Sequence, residues 1–284
     1  MRFTKMQGTG NDFVLVESKD TRRDWSKLAV AMCDRHYGIG ADGLLLLLPS
    51  AKADFQMRIF NTDGSEADAC GNGLRCIVKY FVDRGLAKPE KQEISVETRT
   101  GTRKALVSKK VGKVVKVRVG MGEPRFGAKD IPVVIGHGED TVKSMITSSI
   151  TLDGEELRLS FISMGNPHAV YFTQEPVADF RLSSLGPKVE HHKIFPDRVN
   201  FEVACILDRK QIEARVWERG VGETLACGSG ACAITVAAWL HGYIDDKVAI
   251  KLPGGVLEVE WGGAGEVFLS GPAVTVFSGE WPEQ

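Results

Sequence analysis

Residues 70–85 read CGNGLRCIVKYFVDRG, and residues 227–242 read CGSGACAITVAAWLHG. Each block opens on Cys-Gly-x-Gly and closes on a glycine 15 positions later. In the first block Leu74, Ile77, Val78, Phe81 and Val82 recur at i, i+3, i+4, i+7 and i+8, the spacing of one helix face. Gly85 supplies the stop. The second block is apolar nearly all round, so its helix should be enclosed by protein on every side. Two such helices with matching entrances and exits point to one ancestral unit used twice.

Other segments repeat at similar offsets. MQGTGNDFVLV at 6–16 resembles MGNPHAVYF at 164–172, with Asn11 paired to Asn166. After each helix comes a strand, a glycine turn and another strand: EISVETRTGTRKALV at 93–107 and VAIKLPGGVLEVEW at 248–261, with Gly101 and Gly254 as turn glycines. Short alternating strands curled around one central helix would enclose it. The expected fold is α+β, with two pseudo-symmetric domains, each a curled, mainly antiparallel β-sheet or barrel around a helix. The first domain should span 1–122 and regain a C-terminal strand from about 273–284, and the second should span 123–272. The active-site cleft would lie between them. The basic run Lys104–Arg118 interleaves with Val114, Val115 and Val117, which reads as a hairpin turning near Val111-Gly112.

Composition narrows the function. The 284 residues are 43% apolar and 26% charged, and 36 Lys plus Arg nearly balance 37 Asp plus Glu. That balance gives no electrostatic footprint for nucleic acid or an anionic membrane. No apolar run has the length of a membrane span, and MRFTKMQGTGNDF lacks a signal-peptide hydrophobic region. A cytoplasmic protein acting on a small molecule is expected, with its six cysteines as reduced thiols.

The Cys-Gly-x-Gly turns suggest the chemistry. Glycines at a helix start let backbone N–H groups face a ligand, and the helix dipole favours an anion there. A thiol in that field can ionise near neutral pH. Two such thiols on opposite walls of a cleft suit inversion of a carbon centre, one removing a proton and the other delivering one. Both helix N-termini can converge on a single carboxylate and stabilise the charge that develops. Competing readings remain open at this point. The cysteines could be small buried caps in a two-lobed amino-acid-binding protein. Zinc ligation is a further rival, but Cys70/Cys76 and Cys227/Cys232 point apart around a helix. Cys76, Cys232, Cys33 and Cys205 read as core.

The blocks GTGNDFVLVE, NTDGSEADACGNGLRC, SMGNPHAVYF, RVNFEV and WERGVGETLACGSGAC, in that order along the whole chain, resemble the diaminopimelate epimerase family. The same fold includes proline and hydroxyproline racemases, but SMGNPH and ERGVGET draw this sequence to the diaminopimelate branch. The resemblance implies an isomerase, interconverting LL- and meso-2,6-diaminopimelate for lysine and peptidoglycan precursors. It implies no cofactor, neither pyridoxal phosphate nor metal, and a homodimer. Cys70 and Cys227 would be the two acid/base groups, with His168 beside Cys70 and Glu218 beside Cys227. Glu218 would also hold the reacting amino group, and backbone groups of Gly71, Asn72, Gly228 and Ser229 the reacting carboxylate. Asn11, Asn61, Asn166, Asn200 and Arg219 would grip the distal amino-acid centre. Neutral amides suit an ammonium and a carboxylate together, and a guanidinium suits a carboxylate. One departure is Gly43, where some members carry a glutamine that contacts substrate.

Overall fold

The computed structural model describes residues 1–67, 70–88, 90–134, 140–142 and 145–282, so Asp68 and Ala69 of the motif before Cys70 lie outside the described residues. The chain forms two compact units. Unit 1 is Met1–Gly120 with Ser270–Gln284, and unit 2 is Met121–Leu269.

Unit 1 begins with strands β1 (Arg2–Gly8) and β2 (Asn11–Glu17), helix α1 (Trp25–Cys33), strands β3 (Gly43–Leu48), β4 (Phe55–Asn61) and the two-residue β5 (Glu66–Ala67). Helix α2 (Gly71–Asp83) follows, then β6 (Glu93–Thr98), β7 (Gly101–Lys110) and β8 (Lys113–Gly120). Strand β3 shows why a pure leucine run is stable here. Leu44, Leu46 and Leu48 pack with Trp25, Ala29 and Met32 of α1. Leu45 points the other way, against Gly73 of α2. A strand covered by helices on both faces has no solvent side, so polar alternation disappears. Helix α2 touches β1, β2, β3, β4, β7 and β8, which makes it the axis of the unit.

Unit 2 repeats the plan. It contains β9 (Asp140–Val142), β10 (Met145–Leu152), β11 (Glu155–Ser163), β12 (Pro167–Thr173), α3 (Leu182–Glu190), β13 (Asn200–Asp208), β14 (Gln211–Glu218) and β15 (Gly222–Thr224). Next come α4 (Gly228–Leu240), β16 (Lys247–Leu252) and β17 (Gly255–Glu260). Strand β18 (Phe268–Gly271) carries the chain out of unit 2, and β19 (Val274–Glu280) pairs antiparallel with β1 in unit 1. Helix α4 is buried along almost its whole length and touches β11, β12, β13 and β17.

Strand pairing confirms the duplication. In unit 1, β1–β2 is antiparallel, β2–β3 parallel, β3–β4 antiparallel, β4–β6 parallel and β6–β7 antiparallel. The series β11–β12, β12–β13, β13–β14, β14–β16, β16–β17 runs through the same senses in the same order. Helices α1 and α3 occupy matching places before the second parallel partner. Neither was predicted. Leu182, Leu185 and Val189 give α3 its buried stripe, but Pro187 inside it conceals the pattern.

Local signals held at the turns. The β7–β8 hairpin turns at Val111 and Gly112, both with positive φ. Helices α2 and α4 are followed by Gly85 and Gly242 at φ 71° and 78°. One pairing is corrected: the equivalent of Gly101 (φ 116°) is Gly255 (φ 136°), not Gly254, because Gly255 opposes Leu252 as Gly101 opposes Thr98. Cys33, Cys76 and Cys232 are core, whereas Cys205 is half-buried at the margin of the unit 2 core.

Ile234 lies on α4 with no exposed surface. Truncation to alanine leaves a cavity that the surrounding strands fill only in part. Ile234→Ala is expected to cost about 2–5 kcal/mol, read as a lowered midpoint in urea denaturation.

Candidate functional site

In unit 1 the site is built on the entrance to α2. Cys70 is the N-cap in an extended conformation, and its sulfur accepts from the Gly73 N–H at 3.4 Å. Its carbonyl accepts from Leu74 N at 2.8 Å. Gly73 is confined, because a Cβ there would lie 3.0 Å from Leu45 Cδ2. The Cys70 thiol donates to Asn11 Oδ1 at 3.7 Å, and Asn72 Nδ2 donates to the same oxygen at 3.2 Å. Asn11 in turn donates through Nδ2 to Asp42 Oδ2 at 2.8 Å. Three of the expected residues therefore form one cluster: Asn11, Cys70 and Asn72. Asn61 stands apart from these contacts, at the exposed end of β4, donating to Ser65 Oγ at 2.9 Å.

A charged network supports Asn11 from below. Arg35 pairs with Asp12 at 2.7 Å and Asp42 at 2.7 Å, and Lys5 reaches Asp12 at 2.6 Å. Burial pushes the Asp12 carboxyl up, but hydrogen bonds from Arg35 and Lys5 outweigh it and hold the group at about 2. Gly43 also has a steric reason. A Cβ there would lie 2.8 Å from the Phe60 carbonyl oxygen, so a glutamine would displace β4.

In unit 2 the entrance to α4 repeats the arrangement. The Cys227 sulfur accepts from Gly230 N at 3.4 Å and meets Ser229 Oγ at 3.4 Å. Asn166 Nδ2 donates to Ser229 Oγ at 3.3 Å, and Asn166 Oδ1 lies 3.0 Å from His168 Nε2. Nδ1 of His168 is 2.7 Å from Glu202 Oε1, with both side chains fully buried. Sequence reasoning missed Glu202. Asn200–Ala204 of β13 are buried without a break, and a carboxylate within that run was the available signal.

The remaining residues frame this cluster. Asn200 is buried and spends its amide on backbone: Nδ2 donates to Pro167 O at 2.7 Å, and Oδ1 accepts from Arg219 N at 3.0 Å. It thus ties the His168 strand to the Glu218-Arg219 turn. Glu218 accepts from Thr224 Oγ1 at 2.6 Å. The exposed Arg219 guanidinium donates to Asp197 O at 3.0 Å. Glu190, also unforeseen, accepts from Trp217 Nε1 at 2.7 Å and Gly220 N at 2.9 Å and so fixes the far side of that turn.

The Cys227 thiol differs from expectation. Burial pushes it well above the ordinary thiol range, and the nearby carboxylates of Glu218 and Glu202 add to the rise; Ser229 and the Gly230 N–H offset only part. Desolvation here exceeds the helix-terminus effect. Among the described residues no group of three or more His, Cys, Asp or Glu side chains is placed to hold a metal ion, and no helix is long and apolar enough to cross a membrane.

Solved structures share this architecture. A probable proline racemase from Agrobacterium radiobacter superposes with a TM-score of 0.71 at 16% identity, over 100% of this chain and 93% of that one. A PhzF-family phenazine biosynthesis protein from Bacillus anthracis does so at 0.71 and 17%, over 100% and 99%. At these identities the likeness shows the fold alone. The family model described as "Diaminopimelate epimerase" matches residues 3–127 and 160–276. Proteins of that name from Acetivibrio thermocellus and Pelotomaculum thermopropionicum are 46% and 47% identical; each alignment covers 99% of this chain, and 98% and 99% of the relatives. The chain belongs to the diaminopimelate epimerase family.

The Asp12 network predicts an acid limb in stability. A carboxyl lowered on folding stabilises fully above its unfolded value of about 4, and that stability is lost as pH falls toward about 2. Urea midpoints measured against pH should decline across that window, and Asp12→Asn should flatten the decline.

Proposed function

We propose that the chain interconverts LL- and meso-2,6-diaminopimelate by two-base proton transfer between Cys70 and Cys227. The observation that carries this reading is the repeated cap, in which each cysteine sulfur sits on the N-terminus of the central helix of its unit, held by the N–H of the second glycine. The domains are read as lobes 1–122 with 273–284 and 123–272, flanking the active-site cleft. One thiolate removes the α-proton from one face of the substrate. The other, as neutral thiol, delivers a proton to the opposite face. The sulfur that began as thiolate ends as thiol, and its partner the reverse, so product release must be followed by proton exchange with solvent. The Cys227 thiol, pushed up by burial, suits the donor's role in one direction.

As the α-carbon gains electron density, charge moves onto the adjoining carboxylate. Backbone N–H groups of Gly71, Asn72, Gly228 and Ser229 would receive it, each such donor being worth about 3–4 kcal/mol in the transition state. Glu218 would hold the reacting ammonium. His168 and Glu218 would tune the thiols of Cys70 and Cys227, respectively. Asn11, Asn61, Asn166, Asn200 and Arg219 would select the distal amino-acid centre, rejecting analogues that leave those groups unpaired.

A cytoplasmic homodimer completes the reading. All six cysteines are free, as in a reducing compartment. Val274, Val276 and Phe277 on β19 expose apolar surface that a second copy would cover.

In heavy water the pure protein should exchange the α-hydrogen of LL-diaminopimelate and form the meso isomer, but leave proline untouched. Cys70→Ser and Cys227→Ser should each lose about 10²- to 10⁴-fold in turnover. No exchange by wild type, or full rates in both variants, would remove the proposal. For the dimer, Phe277→Glu should reduce the mass seen by sedimentation to that of one chain.

A further inference from the structure

Unit 2 contains a continuous row of polar contacts leading away from Cys227 into the core. Cys227 Sγ meets Ser229 Oγ at 3.4 Å, Ser229 Oγ meets Asn166 Nδ2 at 3.3 Å, Asn166 Oδ1 meets His168 Nε2 at 3.0 Å, and His168 Nδ1 meets Glu202 Oε1 at 2.7 Å. The row ends on a carboxylate with no solvent exposure. We infer that Glu202 is a positioning residue whose hold on His168 fixes the direction of this hydrogen-bond chain, so that the Ser229 hydroxyl donates to the Cys227 sulfur.

The direction follows from charge. A carboxylate beside a singly protonated imidazole would leave an unbalanced negative charge fully buried, which is costly. Glu218 lies near enough to add repulsion. The pair is stable as a net-neutral unit with one proton shared between Glu202 Oε1 and His168 Nδ1. A proton on Oε2 gains nothing, since that oxygen has no hydrogen-bond partner among the described residues. Whether the shared proton rests on oxygen or on nitrogen, His168 Nε2 carries the other hydrogen. It then donates to Asn166, which must present its carbonyl oxygen to the ring and its NH2 to Ser229. Ser229 Oγ accepts that NH2, and its own hydrogen is left for the sulfur. An amide does not pass protons along such a row, so the effect is orientational.

The packing confirms how closely Glu202 is held. A Cβ on Gly230 would lie 2.9 Å from Glu202 Oε1, so the second glycine of CGSG makes room for this carboxylate as well as capping the cysteine. Facing Cys227 are Glu218 from β14, Glu202 from β13, and Ser229 and the Gly230 N–H from α4. Glu202 thus acts in two opposed ways. As a charge it disfavours the thiolate, and through the chain it supplies the thiolate with a donor.

Those two actions can be separated. The inference rests on Cys227 being an acid/base group, but thiol alkylation reads its state without any substrate. Iodoacetamide rates at Cys70 and Cys227 would be followed against pH by peptide mass spectrometry. Glu202→Leu removes the partner of His168, and Asn166 is then free to reverse. The Cys227 midpoint should rise by about one pH unit, a tenfold loss of thiolate at fixed pH. Glu202→Gln keeps a polar partner on Nδ1 and should hold the Cys227 midpoint below that of Glu202→Leu. A volume-filling role would be met equally well by Leu, and a purely electrostatic one would lower the midpoint; either result in Glu202→Leu overturns the inference. Should that variant not fold, ¹⁵N-histidine spectra of wild type decide, with the His168 signals assigned by their loss in His168→Gln. Hydrogen on Nε2 near neutral pH supports the chain, and a bare Nε2 overturns it. A coupled Cys227 in a protein without exchange activity would sink the proposed function and leave this role of Glu202 standing.

Discussion

The contact on which the rest depends is the bond from the N–H of a glycine to a cysteine sulfur three residues earlier, at 3.4 Å in both units. It does two things together. It closes the first turn of a helix that lacks the usual oxygen cap, and it fixes a thiol at the positive end of that helix. Placing the helix at the centre of each unit then requires strands on all sides of it. The Leu run of β3, covered by α1 on one face and α2 on the other, and the unbroken apolar surface of α4 follow from that requirement.

The two caps share geometry but not surroundings. Around Cys70 the near polar groups are neutral amides, Asn11 and Asn72, backed by an ion network that anchors Asn11 through Asp42. Around Cys227 they are a hydroxyl and two carboxylates in a fully buried setting. Duplication supplied a symmetric frame, and later substitution made its halves unlike.

How much of this was legible in the sequence depends on the range of the interaction. The central helices, their glycine stops and the hairpins are written in local patterns, and those patterns were readable. Helices α1 and α3 were not, because α1 spans only nine residues and α3 carries Pro187. Cys70 and Cys227 stand out as candidates because the motif occurs twice. Glu202 was not: a single acidic residue in an apolar run carries no sign that its partner is His168 on a parallel strand 34 positions away. Glu190 escaped for the same reason. The helix-terminus argument weighs the dipole at Cys227; the burial and the two carboxylates that push the thiol up are not written in local sequence.

Asn200 shows how support and recognition overlap in one residue type. Its amide carbonyl and NH2 are both engaged with backbone, the one on the Arg219 N–H and the other on the Pro167 carbonyl. It thereby clamps the strand that carries His168 to the turn that carries Glu218 and Arg219. Glu190 clamps the same turn from its other side through Gly220 and Trp217. A turn held from both sides loses little further freedom when a ligand arrives, and that saving is what preorganisation contributes to binding. The hydrogen-bond partners of Asn200, not its residue type, therefore mark it as a group that holds this turn still.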